Sequence, residues 1–338
     1  MVSKSFSHEL ERLDSSGHDH PFTGWRGDHP GTGTVGGVDV VLPQRVRAGD
    51  RVRLVSPASF PSEEVLAEAV RWLEGWGLVV EVGKHAVDRH GYMAGRDEDR
   101  LADLNEAYRD PGVRAVIATT GGAGAYRIAD GIDFAAVRAD PKPLAGFSDI
   151  TNLHLALWRH CRVAGIHGCL SGTRSASATR SLLMGTERTV LHRDPSALTA
   201  SVRVAGVATG NLVGGHLGTI AWSVGAGLPD LDGAIMFLEA PRAVGLGHVD
   251  RQLTQLIRSG SLRGVRGVAL GRFPGFEDHV DRGWTVVDVL RDRLTTLDVP
   301  VIGGIDVGHG DNSLSAPLGP VAELDVDAGT LTVGPAVR

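Results

Sequence analysis

Cysteine is scarce in this 338-residue chain: Cys161 and Cys169 are the two it has. That excludes a disulfide scaffold and fits a reducing compartment. No run approaches the ~18–20 apolar residues that cross a bilayer. The opening stretch, MVSKSFSHELERLDSSGHDH, lacks the apolar core of a secretory signal. A basic excess is also missing, since 34 Lys and Arg stand against 40 Asp and Glu for a net charge of −6. Nucleic acid and anionic membranes, which want a basic face, are therefore not expected partners. Aromatic residues make up 5 %, whereas glycine occurs 46 times. Such an excess means many tight turns and close backbone approaches. With 42 % apolar and 22 % charged residues, the chain has the profile of a soluble globular protein. Its length suits two domains of roughly 100–200 residues each.

Residues 1–43 hold no periodic pattern and read as a mobile extension; four histidines (His8, His18, His20, His29) leave a weak metal-binding tail as the other reading. Regular structure begins near residue 50. RVRLVSPAS (51–59) reads as a buried strand and turn, and Ser62 with Glu63 and Glu64 opens a helix that Gly77 stops. Strand 78–82, helix 97–109 and strands 113–120 and 142–147 follow, then an apolar run over 163–168. Strands alternating with helices predict an α/β domain over 44–170 with a mostly parallel sheet. Residues 171–205, rich in Ser, Thr, Arg and Ala, read as an interdomain crossing. A smaller α/β domain over 206–338 is expected to hold strand 234–239, helix 249–260, strand 267–273, helix 284–294 and strand 299–305. A hairpin around Asp327-Ala328-Gly329 closes it.

PKPLAGFSDITNLHLALW (141–158) carries the most chemistry. A strand runs into Gly146-Phe147-Ser148-Asp149 and a helix starts at once, so Ser148 sits at the carboxyl end of a sheet strand, where open α/β sheets place ligands. The turn would hold its hydroxyl out as a nucleophile, with the Asp149 amide ready to bind an oxyanion. Equally, Ser148 could be an ordinary N-cap. TTGGAGAYR (119–127) is a second, glycine-rich loop at a neighbouring strand end. As a dinucleotide fingerprint it is weak, because Arg127 stands where glycine or alanine belongs; as a source of a further oxyanion donor it is reasonable. A serine nucleophile needs an oriented base. His154 and His160 suit helix packing, His167 and His216 are ambiguous, and His309, in the glycine-flanked loop DVGHGDNSLSAPLG, is the best base. Glu239 ends the apolar strand AIMFLE and would orient it, unless it forms an ion pair with Arg242 or Arg251. The two cysteines read as buried fillers, and Trp222 and Trp284 as helix-packing residues or pocket walls.

Five segments in order, PKPLAGFSDITNLHLAL, GNLVGGHLGTI, AIMFLEA with VDRQLTQL, GVALGRF and VGHGDNSLSAPLG, resemble the LD-carboxypeptidase / microcin C immunity peptidase family of serine peptidases. The resemblance runs from about residue 44 to the C-terminus. It implies a class I amidotransferase-like N-terminal α/β domain, a smaller C-terminal α/β domain, a Ser–Glu–His triad across the cleft and a homodimer in the cytoplasm. By it, Ser148 is the nucleophile, Glu239 the orienting acid and His309 the base, with backbone oxyanion donors from Gly122 and Asp149. No metal or organic cofactor is implied, and the partner is a small peptide or peptide-nucleotide substrate. The implied reaction cleaves an amide through an acyl-enzyme, in a murein tetrapeptide with release of D-Ala or in a toxic aminoacyl-nucleotide. Three positions depart from the family. Phe147 replaces the usual tyrosine, Thr119-Thr120 precede the double glycine where carboxypeptidases carry arginine, and PRAVGLGH follows AIMFLEA in place of an acidic stretch. Two other readings remain at this point. An α/β-hydrolase-type esterase would want glycine at position 150, which is isoleucine, and a silent peptide- or nucleotide-binding protein would not need the triad.

Overall fold

The computed structural model describes residues 39–243 and 245–338. In chain order the first layer comprises β1 (Arg51–Val55), α1 (Glu63–Gly75), β2 (Val79–Val82), α2 (Asp97–Arg109), β3 (Val113–Ala118), α3 (Ala125–Ile128), α4 (Phe134–Ala139), β4 (Leu144–Gly146), α5 (Thr151–Cys161) and β5 (Gly165–His167). Then come α6 (Thr173–Met184), β6 (Thr189–His192), β7 (Arg203–Val204), β8 (Val207–His216), α7 (Leu217–Trp222), β9 (Ala234–Glu239), α8 (Leu246–Arg258) and β10 (Gly267–Leu270). α9 (Val286–Leu294), β11 (Val301–Ile302), β12 (Ala316–Leu318), β13 (Val321–Asp325) and β14 (Thr330–Val333) complete the chain.

Local chemistry explains the best-defined helices. Ser62 caps α1 by accepting from the Val65 amide, and Glu63 and Glu64 oppose the positive helix end. α2 has Asp97, Glu98 and Asp99 in its first turn and Arg109 in its last, and it buries Leu104 and Tyr108 against the sheet. On α8, Val249, Leu253 and Leu256 recur at helical spacing and bury fully, while the opposite face is polar.

The strands form a six-stranded sheet, β12-β5-β4-β3-β1-β2, and an eight-stranded sheet, β6-β14-β13-β8-β9-β10-β11-β7. In the first sheet every pairing is parallel except β12 with β5. In the second, β8 to β11 are parallel and antiparallel strands flank them on both sides. The fold is two mixed α/β sheet layers, as expected, but the second sheet, with eight strands against six, is the larger rather than the smaller, and the described residues belong to one compact unit.

The expected boundaries differ in instructive ways. The 171–205 stretch is no simple crossing: it holds α6 and contributes β6 and β7 to opposite edges of the second sheet. Residues 206–338 are likewise not confined to that sheet, because β12 returns to pair with β5. Of the expected mobile extension, residues 39–43 are described and bound: Val41 bridges Val163, and its amide donates to Arg162 O at 2.8 Å. Its remainder, with His8, His18, His20 and His29, lies outside the described residues. Cys161 is buried but Cys169 only half so, and both are free thiols. No helix among the described residues is long and apolar enough to cross a membrane.

Candidate active site

β4 ends at Gly146, Phe147 is extended (φ −147°, ψ −171°), and Ser148 then takes φ +61° before the chain turns into α5. A side chain in that left-handed region costs about 1–3 kcal/mol and persists only where its surroundings hold it. Here the Ile150 amide donates to Phe147 O at 3.1 Å. The Asp149 carboxylate accepts from the Ala125 amide at 2.8 Å and from Asn152 Nδ2 at 2.9 Å. Asp149 thus ties the serine turn to the glycine-rich loop, a side-chain role that sequence reading missed. Burial pushes its carboxyl up, and the Ala125 and Gly124 amides draw it back. Gly121 packs directly under the serine, where an added Cβ would lie 2.7 Å from Ser148 Cβ.

Nε2 of His309 lies 3.1 Å from Ser148 Oγ. On the other side, Nδ1 of His309 is 2.6 Å from Glu239 Oε2, and the His309 amide donates to the same oxygen at 3.0 Å. Glu239 is fully buried at the end of β9. Burial alone would raise its carboxyl, but above all the hydrogen bond and charge of His309 hold it below the usual range. Gly308 makes this approach possible: at φ +123° its absent Cβ would lie 2.8 Å from the Glu239 side chain. The three residues nominated from sequence therefore meet, and Glu239 pairs with His309 rather than with Arg242 or Arg251.

Strand register explains the meeting. His167 is the partner of Gly146, next to the serine turn, and His216 is the partner of Glu239. Both pairs sit at the carboxyl ends of parallel strands, the edge where α/β sheets present side chains to ligands. That signal could have settled both ambiguous histidines. His216 caps α7: Thr219 N donates to its Nδ1 at 3.2 Å, so Nε2 carries the ring proton, and burial lowers its proton affinity. Its ring is 5.7 Å from that of His309. His154 is buried, with Nε2 donating to Gly146 O at 2.9 Å, whereas His160 stacks on Phe134 at 4.2 Å.

A cavity of about 700 Å³ opens over Ser148, lined also by Gly122, Asp149, His216, Trp222 and Arg159. Gly122 and Asp149, nominated as backbone donors, thus line the same cavity as Ser148. Trp222 is 67 % exposed, which overturns the helix-packing expectation: it is a wall of the cavity. Trp284 is also exposed. Among the described residues, His85, Asp88 and Asp99 hold ligand atoms close enough to share a metal ion, and none of them lines this cavity.

Comparison with known proteins agrees with this architecture. The family model described as the LD-carboxypeptidase N-terminal domain matches residues 52–168, and that of the LD-carboxypeptidase C-terminal domain matches 209–324. A protein of Streptomyces coelicolor named as a carboxypeptidase is 38 % identical over 311 residues, covering 87 % of this chain and 96 % of its own. The murein tetrapeptide carboxypeptidase of Pseudomonas aeruginosa is 30 % identical, covering 81 % of this chain and 93 % of its own. Among solved structures, an MccF-like protein of Bacillus anthracis has the same fold, with a TM-score of 0.79 at 22 % identity over 88 % of this chain and all of that one. The chain therefore belongs to the LD-carboxypeptidase family of serine peptidases.

Proposed function

We propose that this protein is a carboxypeptidase that releases the C-terminal D-residue of a murein-type tetrapeptide through an acyl-enzyme on Ser148. The observation that carries the reading is the Ser148–His309–Glu239 chain, with contacts of 3.1 and 2.6 Å and Ser148 on the wall of a cavity of about 700 Å³. Ser148 Oγ attacks the scissile carbonyl while His309 Nε2 takes its proton. Glu239 holds the imidazole in the tautomer whose Nε2 is free to accept, and it stabilises the imidazolium that forms. The amides of Gly122 and Asp149 receive the developing oxyanion. His309 then protonates the departing amine, and water, activated by the same imidazole, releases the acyl group. The substrate class follows that of the murein-directed relative, which the chain matches along most of its length. We place the reaction in peptidoglycan recycling in the cytoplasm, by a homodimer.

One feature favours a second reading, in which the scissile amide belongs to a toxic aminoacyl-nucleotide and cleavage confers antibiotic resistance. Thr119 and Thr120 stand where carboxypeptidases carry arginine, and the Thr119 hydroxyl is occupied by Ser56 at 2.6 Å. The test is to incubate the purified protein with murein tetrapeptide and with an aminoacyl-sulfamoyl adenosine. Release of D-Ala, abolished by Ser148→Ala in a protein that melts normally, is the expected result. Cleavage of the second compound alone would replace the first reading, and equal turnover by the alanine variant would remove Ser148 from the mechanism.

A further inference from the structure

His167 is buried beside the triad, 1 % exposed, at the end of β5. Its ring meets Phe147 and Phe237 edge to face, with centroids at 5.8 and 5.2 Å. Among the described residues, neither of its ring nitrogens has a hydrogen-bond partner, and neither has Oε1 of Glu239. These orphaned atoms face one another, with Nε2 3.8 Å from Oε1. Buried polar groups in native proteins are almost always paired, so three adjacent exceptions call for a cause. A separation of 3.8 Å exceeds the roughly 2.7–3.2 Å of a hydrogen bond. It is also too short for a bridging water, because two such bonds in series span about 5 Å. Closure by less than about 1 Å would satisfy donor and acceptor together. The other carboxylate oxygen, Oε2, is already taken twice by His309.

The titratable groups acting on His167 are Glu239 from β9, His154 from α5, His309 from the loop after β11, and His216 from the end of β8. Burial, above all, and the three imidazoles bring its pKa down to about 3 against the pull of Glu239. At neutral pH the ring is therefore uncharged and carries one proton.

We infer that His167 is a positioning residue for the triad: its Nε2–H donates to Glu239 Oε1 and locks the carboxylate so that Oε2 stays on His309. No proton changes owner. The donor withdraws part of the carboxylate's charge and stops its rotation, so that the imidazole of His309 keeps the orientation needed for attack. Removing it lets the carboxylate swing, and it concentrates negative charge on the oxygen that holds the imidazolium. The inference rests on the triad reading above.

The experiment measures the rate at which a fluorophosphonate probe labels Ser148 in the full chain from pH 5.5 to 9, so that no natural substrate is needed. His167→Leu should label about tenfold more slowly, as expected for a lost hydrogen bond to a charged group. The acid limb of its profile should also move to higher pH. His167→Gln, whose amide can place a donor near Nε2, should restore the limb and return the rate to within about threefold of the parent protein. If the leucine variant fails to melt cooperatively, His167→Met, flexible enough to fill the same space, takes its place. Wild-type rate and profile in the apolar variant would overturn the inference. So would equal slowing of both variants with an unmoved limb, since that is loss of packing alone. Wild-type protein that does not label at Ser148, with Ser148→Ala as control, would sink the triad reading itself and this inference with it.

Discussion

A methyl group at position 121 would sit 2.7 Å from Ser148 Cβ and 3.1 Å from its hydroxyl oxygen. Gly121 is not among the positive-φ glycines, so the cost of Gly121→Ala is steric, and the methyl would also lie 3.3 Å from Phe147 O. Either the serine turn or the glycine-rich loop must move, and both border the cavity of the proposed site. A misplacement of about 1 Å in a catalytic constellation costs on the order of 100-fold in rate. Gly121→Ala should therefore reduce turnover about 100-fold, with a loss of about 1–3 kcal/mol in stability from the overpacked contact. Near-normal turnover would mean that the loop yields without disturbing the nucleophile. The neighbouring features were legible to different degrees. A strand, Gly-Phe-Ser-Asp and an immediate helix put Ser148 at a strand end in the sequence, as a nucleophile candidate or an N-cap. The carboxylate of Asp149 did not stand out, because its partner at Ala125 is brought to it by the fold alone.

At the scale of elements, the loop that carries His309 is held at both ends by different sheets. It leaves β11, in the eight-stranded sheet, and enters β12, which is paired with β5 in the six-stranded one. Its partners Glu239 and Ser148 are 70 and 161 positions away in sequence, so the triad exists only when both layers are in register. α6 fastens this loop. Ser175 Oγ donates to Ser313 O at 2.9 Å, Thr179 Oγ1 and Ser315 Oγ share a bond of 2.9 Å, and Arg174 donates to Asn312 O at 2.8 Å. Each neutral buried bond contributes about 1 kcal/mol, and an orphaned partner adds a penalty. The double variant Ser175→Ala, Thr179→Val removes their two bonds to this loop and that from Thr179 Oγ1 to Cys169 O, and should lose at least about 3 kcal/mol in stability. It should also lower turnover several-fold by loosening His309. Full activity at the lower melting point would show that α6 does not act on the catalytic loop. The same helix explains a limit of sequence reading. Its buried face, Ser175, Ala176, Thr179, Leu182 and Leu183, keeps helical spacing but begins with small and polar residues, so hydropathy shows little stripe. β6 and β7, of four and two residues, are too short to signal themselves and owe their existence to edge pairing. α2, by contrast, has a charged first turn and an Asp-Pro-Gly stop, and its bounds are read directly from the sequence.

At the scale of the whole molecule, His154 and His167 link the site to acid stability. Burial brings their pKa values down to about 4 and about 3 in the folded protein. An unfolded histidine takes its proton near pH 6.5. Below that pH the unfolded chain binds protons that the folded protein refuses, so stability is fully present above about pH 6.5 and falls on acidification. Each group contributes a slope approaching about 1.4 kcal/mol per pH unit, which for the pair is a loss of about 3 kcal/mol between pH 7 and 5.5. His216, also held neutral by burial, works in the same direction. His85, raised mainly by its bond to Asp88, opposes them from the surface, and the burial-raised carboxyls of Asp103 and Asp149 do so at the acid end. Urea unfolding at pH 7 and 5.5 measures the balance. His154→Gln, which can keep a donor toward Gly146 O but cannot ionise, should remove about half of the pH dependence. A midpoint that does not move over this range would mean that these rings protonate inside the fold. The distinction reaches function, because His167 faces Glu239 and His154 braces the strand that delivers Ser148. Activity lost on mild acidification should then include a slow part, from unfolding, that follows the urea midpoint.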